Sequence, residues 1–192
     1  MAAQFAAERS DVPLPVLLSI TRVETGRLQN GTVSPWPWAA NISGQSYFFD
    51  TKLAAVKFAA AEIEKGNLNF DIGCFQINLR WHSKGFASLD AAFDPVTNAQ
   101  YAANYLASLY LEMGTWPQAV ATYHSRTPSH ANTYLKKVEA AWDAMQTPQR
   151  AAPPRPIAPA RANSFPLLQQ GTGVNGSLVP QEAAAVHRFT LR

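Results

Sequence analysis

One carboxylate in this chain falls where burial would disfavour its charge. Glu24 lies near the end of DVPLPVLLSITRVETG, residues 11–26, the most apolar run in the protein. On a helix it follows Ile20 by four residues and Leu17 by seven, so it shares their apolar face. A carboxylate there is partly desolvated and sits beside the negative end of the helix dipole; both effects raise its pKa. A carboxylic acid kept protonated near neutrality is what a general acid needs to protonate a glycosidic oxygen. The alternative is a surface glutamate paired with Arg22 or Arg27, and Glu24 taken alone does not decide between the two.

The remaining reactive side chains offer less. His82, His124, His130 and His187 show no metal-ligand spacing, and the single cysteine, Cys74, has no CxxC partner. No metal and no cofactor are expected. A lone cysteine also excludes an intramolecular disulfide, and with it the small disulfide-stapled scaffolds.

The elements that must carry Glu24 read as helices joined by loops across residues 11–146. Asp11 and Pro13 open a helix through the core, apolar on both sides, that Gly26 is placed to stop. A second helix fits residues 50–65, with Leu53, Val56, Ala60 and Ile63 on one stripe. Asp94-Pro95 opens a third, carrying Tyr101, Leu106, Leu109 and Met113 up to Gly114. Residues 116–123 make a short fourth. Residues 129–145 make a fifth, with Tyr134, Val138, Ala141, Trp142 and Met145 turned inward. Only residues 69–78, NFDIGCFQIN, read as strand-like. The expected class is mainly α, with one short extended element.

Residues 147–192 are different in kind. They hold seven of the 14 prolines and five arginines against Glu182, whereas residues 1–146 hold 11 Lys/Arg against 12 Asp/Glu. Such a segment buries too little apolar surface to offset its ordering entropy, so a disordered, basic, Pro-rich tail is expected. Its end regains apolar character, which leaves residues 180–192 either an untidy terminus or a partner-binding element. The basic pI of about 9.1 belongs to this tail, and a folded part without clustered Lys/Arg argues against nucleic-acid binding. No apolar run reaches the roughly 20 residues needed to cross a bilayer. Residues 1–10 lack a basic n-region and an h-region, and read as a flexible N-terminus.

Four short motifs, in order, carry a resemblance. They are Glu24-Thr25-Gly26, then Asp71-Ile72-Gly73-Cys74-Phe75-Gln76-Ile77-Asn78, then Ala121-Thr122-Tyr123-His124-Ser125-Arg126, and then Tyr134 near the start of the last helix. Asp94-Pro95 and Asn98 add a fifth match. On these the chain resembles the soluble-type lytic transglycosylases, which cleave peptidoglycan and share a lysozyme-like helical domain. The departures are His124 where the family has Asn, Arg126 where it has Gly, and a longer, aromatic stretch between the first two motifs. That longer form resembles the flagellum-associated variant of the family.

The resemblance implies a mechanism with one working carboxylate. A conventional glycosidase needs two, but here the C6 hydroxyl of N-acetylmuramic acid would be the nucleophile, giving a 1,6-anhydro end. Glu24 would be acid and then base. By resemblance Tyr123 would orient Glu24, Gln76 and Asn78 would line the cleft, Thr25 would buttress the acid, and Tyr134 would close the cleft. His124 reads either as a substrate or Glu24 contact or as a satisfied buried histidine. Asp71 reads as a loop anchor, the alternative being a water-activating base in a hydrolytic muramidase. A glycan-binding module without catalysis is a further alternative. Trp36, Trp38, Tyr47, Phe48 and Phe49 would either floor the cleft or cap the core. The partners implied are peptidoglycan strands and, through the tail, a flagellar rod-assembly or scaffold protein. The location implied is the periplasm, after removal of a signal peptide.

Overall fold

The computed structural model describes residues 2–29 and 31–146. The tail expected at 147–192, with its partner-binding stretch at 180–192, lies outside the described residues. Eight α-helices and six short strands make up the described part.

The core helix is α2, Leu14–Thr25. Val16, Leu17 and Ile20 are buried, and Leu14, Leu18 and Val23 pack partly against the same core. Gly26 ends the helix in extended backbone, φ −61°. Glycine is required there for space: an added Cβ would lie 2.2 Å from the Arg22 carbonyl oxygen and 2.8 Å from Val33 Cγ1. Across the core runs α6, Pro95–Met113, with Asp94 accepting a hydrogen bond from the Thr97 N–H and Gly114 leaving the helix at φ 81°. Such a cap and such a stop are what Asp94-Pro95 and Gly114 predict. Next come α7, Trp116–His124, and α8, Pro128–Gln146, whose Tyr134 and Val138 are buried as expected.

The structure adds detail to three expectations. Within the expected flexible N-terminus, Ala2–Ala7 form α1, with Ala3 and Ala6 buried in the core beside α6. Small alanines allow this close approach, which six residues without a cap would not signal. The second helix, α3, is Lys52–Glu64, but its fully buried residues are Ala55 and Ala59, while Leu53 is 63 % exposed. Val56 and Ile63 of the expected stripe do pack on the second core, so the buried face is that stripe turned toward the alanines and away from Leu53.

The third concerns the chain between α2 and α3, which is two hairpins. In the first, β1 (Gly26–Gln29) pairs with β2 (Thr32–Pro35). In the second, β3 (Ala39–Ile42) pairs with β4 (Gln45–Phe48). The second hairpin joins the expected extended element, itself the pair β5 (Asp71–Ile72) and β6 (Ile77–Asn78), in a four-stranded antiparallel sheet ordered β4-β3-β5-β6. Behind it a second core gathers Phe70, Ile72, Leu79 and Phe93 with Ala55 and Ala59. The short helices α4, Leu79–His82, and α5, Leu89–Ala92, come between this sheet and α6 in the chain. The class stays mainly α, with more strand than expected.

Candidate active site

A cleft of about 890 Å³ opens where the end of α2, the sheet, α4 and α7 converge. Glu24, Gln76, Asn78, Tyr123 and His124 all line it, together with Asp71. Thr25 and Tyr134 stand behind that lining.

Glu24 is half-buried at the penultimate position of α2. Neither arginine pairs with it: Arg22 donates to the Leu18 carbonyl oxygen, and the Arg27 guanidinium lies over the Trp36 and Phe48 rings. Its partner is Tyr134, whose hydroxyl donates to Glu24 Oε1 at 2.5 Å. Desolvation raises the carboxyl from its ordinary 4.5 to about 7, and Asp71 adds to the rise; the Tyr134 hydrogen bond and Lys137 oppose it. Near neutrality a large fraction of Glu24 is therefore protonated, the state a general acid starts from.

Tyr134, not Tyr123, reaches the acid. Tyr123 does not bond Glu24; its hydroxyl donates to the Phe75 carbonyl oxygen at 2.7 Å. Tyr134 is buried on α8 and holds the acid from behind the lining. Both phenols are pushed well above the usual tyrosine range, first by burial and then by the Glu24 charge. Both are therefore fixed as protonated donors. His124 stacks flat on Tyr134, centroids 4.5 Å apart and planes 5° apart. Burial, then Lys137 and His130, lower its pKa, which favours the neutral imidazole.

The second motif forms the facing wall. It turns sharply at Gly73, φ 78°, where an added Cβ would lie 2.3 Å from the Asn98 amide nitrogen. That buried amide is the anchor of the turn. Asn98 Oδ1 accepts from the Phe75 N–H at 3.0 Å, and its Nδ2 donates to the carbonyl oxygens of Ile72 and Ala92. Gln76 sits in the left-handed region, φ 49°, and its Nε2 donates back to the Gly73 carbonyl oxygen at 2.9 Å. A non-glycine residue is uncommon there and is held only where its surroundings over-determine it. Asn78 donates to Asp71 Oδ1 at 2.9 Å and caps α4 through the Arg80 N–H. Burial raises the Asp71 pKa, and the Asn78 bond opposes the rise. Thr25 is fully enclosed, with Oγ1 3.1 Å from the Cys74 carbonyl oxygen. It ties the acid-bearing helix to the second motif. Cys74 is buried and its thiol is pushed up to about 12, so it is no nucleophile.

The aromatic-rich stretch takes the packing role. Trp38 and Phe49 pack on the second core, and the Trp36 indole donates to the Phe49 carbonyl oxygen. Tyr47 and Phe49 lie against Phe58 of α3. None of the five aromatic residues lines the cleft. The wall does include residues that the sequence reading did not place there, among them Asn41, Trp81, His82 and Tyr105. The sequence signal for two of them was their place in NLRWH, directly after the second motif.

A half-buried acid on a helix tip, held by a tyrosine at the wall of a cleft, fits a helical sugar-cleaving domain. The family model described as the transglycosylase SLT domain matches residues 1–145, and the chain belongs to that family. Membership supports a lytic transglycosylase-like function that acts on peptidoglycan. No curated protein and no solved structure matches the chain significantly.

Proposed function

We propose that the protein is a lytic transglycosylase that cleaves the β-1,4 bond between N-acetylmuramic acid and N-acetylglucosamine and leaves a 1,6-anhydro end. The observation that carries this is the Glu24 carboxyl, raised to about 7 by burial and held by the Tyr134 hydroxyl behind it. Glu24 gives its proton to the glycosidic oxygen as the C1–O bond breaks. The muramic C6 hydroxyl then attacks C1 and returns its proton to Glu24, so no water is consumed. An internal nucleophile gains from effective molarity, and the enzyme's share is positioning. Gln76 and Asn78 hold the glycan against this acid.

A second reading rests on Asp71, which shares the cleft and acts electrostatically on Glu24. If Asp71 activated water, the products would be reducing ends. Purified peptidoglycan incubated with the wild type and with Glu24→Gln, followed by mass spectrometry, tests both readings. Anhydro ends, lighter by one water, from the wild type alone are expected. Hydrolytic ends would overturn the mechanism, and glycan binding without products from either protein would favour a binding module.

The place of action that fits this chemistry is the periplasm. The resemblance to the flagellum-associated form supports local opening of the wall for a rod, with residues 180–192 recruiting an assembly or scaffold protein. A chain truncated after residue 147 should lose that partner in a pull-down while still cutting peptidoglycan. Undiminished capture would sink the recruiting role.

A further inference from the structure

Four of the five tryptophans are used by the fold. Trp36 is bonded to the Phe49 carbonyl oxygen, Trp38 packs on the second core, Trp116 stacks on Tyr110, and Trp142 packs on the first core. Trp81 belongs to neither core and is 71 % exposed. Exposure alone means little, because isolated apolar side chains are common on protein surfaces. Its position is what matters: it lines the same cleft as Glu24.

The backbone that carries Trp81 is held on both sides. Leu79, at the start of α4, is buried, and Asn78 caps the helix through the Arg80 N–H. His82, the next residue, is hydrogen-bonded to the Tyr101 hydroxyl at 2.8 Å and packs on Tyr105. The Arg80 guanidinium lies over the indole, 4.9 Å from the ring centroid. One ring face therefore carries a cation, on a helix that follows the cleft residue Asn78 directly.

We propose that Trp81 is the stacking platform of a glycan subsite on the α4 side of the cleft. The apolar face of a pyranose ring, one or more sugars from the bond at Glu24, lies on the indole. A pyranose presents a patch of C–H groups, and the negative face of an aromatic ring attracts them while both surfaces leave water. The aromatic contact for sugar thus comes from the residue after Arg80 and not from residues 36–49. The ligand class rests on the proposed function.

The test uses full-length protein in the Glu24→Gln background, so that the glycan is not consumed. Binding to purified peptidoglycan is titrated by co-sedimentation for this parent and for parents also carrying Trp81→Ala or Trp81→Phe. Alanine should weaken binding about tenfold, and phenylalanine should keep most of it. Acrylamide quenching of tryptophan fluorescence should fall on glycan addition in the parent and stay unchanged with Trp81→Ala. Equal affinity of the alanine variant and the parent, with the same change in quenching, would overturn the subsite while leaving the proposed function standing. A parent that does not bind peptidoglycan would overturn the proposed function itself.

Discussion

Replacing Glu24 by Gln separates the chemistry of the site from the stability of the fold. Folding raises this carboxyl from 4.5 to about 7, chiefly through burial. The folded protein thus holds the proton more tightly than the unfolded chain does. Its stabilising contribution is fully present below about pH 4.5 and is lost as pH rises to about 7. At about 1.4 kcal/mol per pKa unit, the loss amounts to about 3 kcal/mol between the two limits. Most of it, about 2–3 kcal/mol, falls between pH 5 and pH 9. Gln has the same size, stays neutral throughout, and still offers the Tyr134 hydroxyl a carbonyl oxygen. All other titrating groups are common to both proteins, so the difference between them isolates Glu24. Thermal unfolding followed by circular dichroism should show the variant gaining on the wild type by about 8 °C from pH 5 to pH 9. Activity should be abolished at every pH. Parallel melting curves across that range would refute the claim that the fold holds Glu24 protonated near neutrality.

The other perturbations address what surrounds the acid. Tyr134→Phe removes a hydrogen bond that lowers the Glu24 pKa, so the alkaline limb of the pH–rate profile should move upward, with kcat reduced roughly 10–100-fold. Tyr123→Phe strips the Phe75 carbonyl oxygen of its donor and should destabilise by about 1–3 kcal/mol in urea unfolding. Because it leaves the Tyr134–Glu24 bond in place, the alkaline limb should move less than in Tyr134→Phe. Gly26→Ala places a Cβ 2.2 Å from the Arg22 carbonyl oxygen and should cost about 2–3 kcal/mol in the same assay.

What the sequence made legible follows from which signals are local. Pro13, Asp94-Pro95 and Gly114 mark helix ends by backbone chemistry that needs no partner, and the ends fall where those residues place them. The apolar periodicity of α2 put Glu24 on the core side before any neighbour was known. The hairpins were missed although Asn30-Gly31 and Ser43-Gly44 are turn dipeptides of the kind that join short strands. Their strands lack the alternation that usually accompanies such turns, since β1 and β2 are largely exposed. Pro35, Pro37 and the tryptophans made the stretch read as a loop. The helix α1 was invisible for another reason: alanine carries little hydrophobic signal, and burial of Ala3 and Ala6 depends on α6 lying beside them. Which tyrosine reaches the acid lies beyond pattern reading altogether. Spacing placed both phenols near the acid, but the rotamer that reaches it is set by tertiary packing.

Asp71 is where the two mechanistic readings make opposite demands on the same atoms. Its charge helps to raise the Glu24 pKa, burial raises its own, and Asn78 donates to it. A water-activating base needs that carboxylate, and Asp71→Asn would then abolish turnover. If Asp71 acts only through its field and its place in the wall, the amide can still accept from Asn78 and the wall survives. Removing the charge then lowers the Glu24 pKa, and the acid loses its proton at a lower pH. The alkaline limb of the pH–rate profile should therefore shift downward while anhydro ends remain the product. Activity at about pH 5 should stay within roughly tenfold of the wild type, because Glu24 is protonated there in both proteins. A loss of about a thousandfold at every pH would instead make Asp71 a participant in the chemistry, and a single-carboxylate mechanism would no longer describe this cleft.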